Sequence, residues 1–89
     1  MTYEIAQMLI ASTGHVTERE SEVLNTAGYS RGEYGWLIHV DDTIPTVPEI
    51  EDPSPGLTGA IETTRKLACQ YLLLDRDGPV LKGVPSYKW

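Results

Sequence analysis

The sequence predicts an α+β fold: a two-layer α/β sandwich in the order β-α-β-α-β-β, with a small mixed sheet carrying two helices on one face. Three observations point there. Short apolar runs recur near residues 3–12, 33–40 and 71–75. Two segments with helical signals lie between them. The 89 residues suffice for one core, so residues 1–89 read as a single small domain.

Each element has its own signal. Met8-Leu9-Ile10 is apolar at consecutive positions, which predicts a strand buried on both faces at the centre of the sheet. Gly14 breaks that strand. Thr17-Glu18-Arg19-Glu20 then reads as a capping box with acids in the first turn, opening a helix over residues 18–25 whose apolar side is thin. In the second strand Trp36, Ile38 and Val40 share one face, and Leu37 and His39 the other. Pro45, Pro48, Pro53 and Pro55 break residues 41–55 into an ordered but irregular surface loop. Leu57, Ala60, Ile61, Thr64, Leu67, Ala68 and Tyr71 follow at helical spacing, predicting a second helix over residues 57–71 that hands over to a third strand. Asp77-Gly78 predicts a tight turn, and Val80-Leu81 a short edge strand returning in a hairpin. Leu9, Trp36, Ile38, Ile61, Leu67 and Leu73 are the expected core. Tyr87 and Trp89 are expected to pack on the sheet or on a second subunit.

Composition bounds the function. At 40% hydrophobic and 22% charged the chain is globular, and 13 acids against 7 bases give a net charge of −6, unlike a uniformly basic nucleic-acid binder. Cys69 is the only cysteine, so no intramolecular disulfide is possible and a reducing cytoplasm is the expected setting. The N-terminal residues lack the pattern of a signal peptide, and the apolar runs are too short to cross a bilayer, so no membrane association is expected.

Several motifs offer chemistry. An apolar strand ending in Asp75-Arg76-Asp77-Gly78 resembles the nucleophile loop of haloacid-dehalogenase-type phosphatases, but only eleven residues follow, too few for the lysine and further acids such an enzyme needs. As a calcium loop the run also fails, since Ser86 stands where the closing glutamate belongs. A structural turn is the better reading. Ser12, Thr13 and His15, at a strand-to-helix junction, form a candidate anion or ligand site, with His39 a further candidate should the two histidines meet at one sheet edge. Two histidines without a placed carboxylate make neither a catalytic triad nor a zinc site, so no metal, cofactor or catalytic residue is expected.

Charge is unevenly distributed. Residues 1–62 hold 11 acids and 2 bases, while residues 63–89 hold 2 acids and 5 bases. Asp41, Asp42, Glu49, Glu51 and Asp52 fall within twelve residues that carry no base. A loop of this kind is either a solvated surface or an imitation of a nucleic-acid backbone that docks on a basic protein groove.

Four segments occur together in this order: Ser12-Thr13-Gly14-His15-Val16-Thr17, Glu33-Tyr34-Gly35-Trp36, Leu72-Leu73-Leu74-Asp75-Arg76-Asp77-Gly78, and Gly83-Val84-Pro85-Ser86-Tyr87-Lys88-Trp89. In this the chain resembles an uncharacterised family of small proteins from bacterial plasmids, integrated elements and phages, a domain of unknown function. The resemblance transfers no catalytic residues; it implies a mobile-element accessory protein.

The expected function is therefore non-enzymatic protein–protein binding. Its most concrete form is an inhibitor of a host defence complex, such as an anti-CRISPR protein, whose acidic surface blocks a basic nucleic-acid-binding groove in the host cytoplasm. No direct contact with nucleic acid is expected. The alternatives are a small enzyme or ligand-binding domain using Ser12, Thr13, His15 and His39, and a domain that homodimerises through its edge strand and terminal aromatics.

Overall fold

A computed structural model describes residues 5–41 and 47–89. Strand β1 (Met8–Ser12) leads through a 3-10 turn at Thr13–His15 into helix α1 (Glu18–Thr26). A second 3-10 turn at Gly32–Tyr34 precedes β2 (Gly35–His39); helix α2 (Pro55–Lys66) and strand β3 (Tyr71–Asp75) follow. The sheet is mixed and ordered β1-β3-β2, with β1 parallel and β2 antiparallel to β3. This is the α+β class the sequence predicts.

The pleat sorts the side chains. Ala11, Trp36, Ile38, Leu72 and Leu74 are buried on one face and join Leu24 of α1 and Leu57, Ala60 and Ile61 of α2 in one core. Both helices therefore cover the same face of the sheet. Burying each such leucine contributes about 1.5–3 kcal/mol. On the other face, Met8, Ile10 and His39 are exposed and Leu37, Tyr71 and Leu73 are half-buried.

The helix boundaries follow from their caps. The Thr17 hydroxyl accepts from Glu20 N–H and the Glu20 carboxylate from Thr17 N–H, the reciprocal box the sequence announces. Helix α2 starts two residues before the apolar stripe predicts, because Ser54 caps it and Pro55 takes the first position, where a missing N–H costs nothing. It stops at Lys66 although the stripe continues. Ala68 adopts a left-handed backbone (φ 56°), its N–H and that of Cys69 bond back to the Arg65 and Thr64 carbonyls, and Leu67 is left 55% exposed.

Three further expectations are corrected. The central strand is β3; β1 lies at an edge, so Met8 and Ile10 face away from the helices, and Leu9 and Leu73 are only partly buried. The expected extension of β1 to residue 3 lies outside the described residues for its first two positions, and the described strand begins at Met8. After β3, Gly78 N–H closes a turn on the Asp75 carbonyl (2.9 Å), but no fourth strand pairs at Val80-Leu81. Gly78 is needed for room rather than for a turn with positive φ, since a Cβ there would overlap the Ala11 carbonyl. Residues 79–89 form an irregular strap that crosses back over the Thr13–His15 turn and the start of α2.

Candidate functional site

The acidic loop is the sequence-predicted site with the most developed geometry. Val47 is buried, and Ile50, whose N–H bonds to the Val47 carbonyl (3.1 Å), packs against the core. These apolar anchors turn Glu49, Glu51 and Asp52 outward, and all three are exposed. Two polar tethers hold the segment. Tyr29 donates its phenol to Glu49 (2.8 Å). Burial first, then the bond to Glu49 and its negative charge, push the Tyr29 phenol up to about 12.

The second tether is the Glu20 carboxylate, 5% exposed. Oε1 accepts from Thr17 N–H (2.9 Å) and from the Ser54 hydroxyl (2.7 Å), and Oε2 accepts from Ser54 N–H (2.7 Å). Ser54 Oγ in turn accepts from Leu57 N–H. One carboxylate thus serves the N-termini of both helices, where their dipoles favour negative charge. Sequence reasoning found its capping role and missed Ser54, 34 positions away; the Ser-Pro pair at 54–55 is the signal that marks the second cap.

Between α1 and this loop lies a groove of about 500 Å³ walled by Thr17, Arg19, Glu20, Val23, Glu49, Ile50, Glu51, Asp52 and Ser54. On the other side of the loop a more apolar groove of about 410 Å³ runs along α2, walled by Val47, Pro48, Ile50, Pro53, Leu57 and Ile61 with Glu51, Glu62 and Arg65. The five predicted acids do not act alike. Asp41 contributes its main-chain carbonyl to the Arg65 guanidinium (2.8 and 3.1 Å), Glu49 engages Tyr29, and Glu51 and Asp52 face solvent. Asp42 lies outside the described residues.

The structure does not assemble the second candidate site. Ser12 and His39 lie at opposite ends of the sheet, in register with Asp75 and Tyr71 of β3 respectively. Four strand steps separate those positions, about 13 Å. The N–H groups at the strand-to-helix junction are used within the chain: Gly14 N–H bonds to Ser12 Oγ and Val16 N–H to the Thr13 carbonyl. The Thr13 methyl lies against Gly35. His15 is fully buried, with Nδ1–H donating to the Pro85 carbonyl (2.8 Å) and Nε2 accepting from Leu81 N–H (2.9 Å). Those partners fix the neutral Nδ1–H tautomer and leave the ring no nitrogen for a ligand. His39 is exposed, its ring 5.2 Å from that of Tyr71.

The Asp75–Gly78 run behaves as a turn. Asp75 Oδ1 accepts from Asp77 N–H (2.9 Å), the side-chain-to-backbone bond by which an aspartate closes a turn. The Arg76–Asp77 ion pair is long (3.8 Å) and exposed, so it adds little. Among the described residues no three His, Cys, Asp or Glu side chains come together as a metal site, and no helix is long and apolar enough to cross a membrane. Tyr87 and Trp89 fold back over the start of both helices: the Tyr87 hydroxyl accepts from Gly56 N–H (3.1 Å), and the Trp89 indole, 58% exposed, donates to the Val16 carbonyl (2.9 Å).

A comparison with protein families matches residues 8–89 to a model described as "Family of unknown function (DUF5983) C-terminal domain". No curated protein and no solved structure matches.

Proposed function

This chain belongs to the DUF5983 family, and we propose that it acts without catalysis, by presenting its acidic loop to a basic groove on another protein. The observation that carries this reading is the build of the loop: Glu49, Glu51 and Asp52 are held outward on a segment anchored by Val47 and Ile50 and tethered through Tyr29 and Glu20. A loop held in this way loses little conformational entropy on docking, and clustered charge speeds the encounter with an opposite surface. The most concrete form of the proposal is a mobile-element accessory protein that occupies a nucleic-acid-binding groove of a host defence complex in the cytoplasm, as an anti-CRISPR protein does.

The test reverses charge where the fold does not depend on it. Glu49 holds the Tyr29 phenol, whereas Glu51 and Asp52 are exposed, so Glu51→Lys with Asp52→Lys is the informative pair. Tagged wild type is used to capture its partner from bacterial lysate, and affinities of both forms are then measured at 0.1 and 1 M salt. Screening shortens from about 10 Å to about 3 Å across that range. Wild-type binding should weaken steeply with salt, the double variant should associate at least tenfold more slowly with unchanged melting, and nucleic acid should compete for the partner. Equal affinities with flat salt dependence would leave the loop a solvated surface.

A further inference from the structure

The strap of residues 79–89 is held by scattered bonds, and His15 makes two of them. Leu81 N–H donates to Nε2 and the Pro85 carbonyl accepts from Nδ1–H, so one ring spans five strap residues. Beyond that clamp, Tyr87 N–H bonds to the Gly14 carbonyl (2.7 Å), and the Trp89 indole to the Val16 carbonyl. All these groups border His15 in sequence or in space. The strap approaches α2 so closely that a Cβ on Gly56 would overlap the His15 carbonyl and come within 2.7 Å of the Pro85 carbonyl.

We infer that His15 is an acid-sensitive latch: protonation of its imidazole releases residues 79–89 from the Thr13–His15 turn and the start of α2, while the sheet and helices stay folded. The sign follows from the bonding. Only neutral imidazole has a lone pair on Nε2 to accept from Leu81 N–H. A proton taken there from water replaces that acceptor with a second donor, so N–H faces N–H, and leaves a cation in a site with no exposure. The latch is closed at neutral pH and opens as pH falls.

The surroundings do not offset that charge through the ring itself, since both nitrogens are bonded to backbone groups. The strap carries the cations Lys82 and Lys88 and the phenol of Tyr87, whose hydroxyl is engaged by Gly56 N–H. Helix α2 presents no acid in its first turn. At the end of the sheet Asp75 is bonded to Asp77 N–H, and at the start of α1 the Glu20 carboxylate is committed to Thr17 and Ser54, with Glu18 exposed to solvent. Opening the strap bares the Gly14 and Val16 carbonyls and the Gly56 N–H, a short row of backbone groups.

The two tryptophans supply both probe and control. Trp36 donates its indole N–H to Asn25 (2.8 Å) within α1 and β2, and Trp89 donates to Val16 under the strap. The full chain, ¹⁵N-labelled, is titrated by NMR from pH 7.5 to 5, with Trp89→Phe assigning the signals. The expected result is that the Trp89 indole and Leu81 amide signals move with the His15 ring nitrogens at one midpoint. Solvent exchange of the Trp89 indole should rise at least tenfold, while the Trp36 indole holds its position. His39→Asn should leave the transition in place. Loss of both indoles together would overturn the latch, as would a Trp89 signal that stays put while His15 protonates, or one unchanged over the whole range. The wild-type ring signals decide the matter even where a His15 variant does not fold.

Discussion

The two irregular segments of this protein, residues 47–54 and 79–89, solve the same problem in opposite ways. Each has prolines, no regular structure and a path over the helix layer. The first is seated by apolar side chains, Val47 and Ile50, and tethered at two acids, so its backbone needs few partners. The second is seated by scattered hydrogen bonds, two to His15 and one each to Ser12, Gly14, Val16 and Gly56, with half-buried Leu81 packed against the core. Apolar seating is insensitive to pH, whereas seating on an imidazole is not. On the readings proposed above, that difference suits one segment to presentation and the other to response.

Substitutions sharpen that contrast. Ile61, 9% exposed, walls the groove beside Val47 and Ile50, so Ile61→Ala should cost about 2–5 kcal/mol in chemical denaturation and loosen the acidic loop with the core. A wild-type midpoint would show that the loop does not rely on an apolar seat. Glu20→Ala removes the acceptor shared by Thr17 and Ser54 and should cost about 1.5–3 kcal/mol. Hydrogen exchange should then rise at the first turns of both helices; a change confined to α1 would separate the caps. Gly56→Ala pushes a methyl into the strap's seat and should cost about 1–3 kcal/mol. The Trp89 indole should lose its protection and the residue 47–54 amides keep theirs, and the reverse would break the distinction between the two segments.

The smallest effect belongs to Tyr29→Phe, which deletes the phenol–Glu49 bond and should cost about 0.5–1.5 kcal/mol at pH 7. It also has a pH signature. The phenol is raised from 10.0 to about 12 in the folded chain, so its contribution is complete below pH 10 and disappears as pH climbs to about 12. Wild-type stability should decline across that window, and the variant should lose that part of the decline. Parallel curves would mean that the tether contributes nothing at alkaline pH.

Local signals in the sequence were legible, and contacts across the chain were not. The Thr17–Glu20 box, the alternation of Trp36, Ile38 and Val40, and the third strand at 71–75 each depend on neighbours within a few residues, and each stands as read. Strand order depends on which strand the helices and turns leave at the centre. Three consecutive apolar residues in β1 cannot distinguish a central strand from an edge whose second face lies open. The helical stripe overruns the end of α2 because it continues straight through Leu67 and Ala68, and the left-handed turn at Ala68 uses no glycine to announce itself. At the candidate sites, the outward turn of the acids follows from Val47 and Ile50, whose seat against the core is made by residues far away in the chain. The capture of His15 by a strap 66 and 70 positions away has no local signature at all.

The strand order also sets a schedule for the nascent chain. Neither β1 nor β2 pairs with the other, and both depend on β3. On the ribosome, then, Met8-Leu9-Ile10 and Trp36-Leu37-Ile38 emerge and wait without a sheet to join. At about 5–20 residues per second, synthesis of the stretch from His39 to Tyr71 takes roughly 2–6 s. Throughout that interval two sticky segments are available to chaperones or to neighbouring chains. Sheet formation then waits for five residues, Tyr71–Asp75, so a translational pause anywhere between β2 and β3 prolongs the exposed state by its own duration.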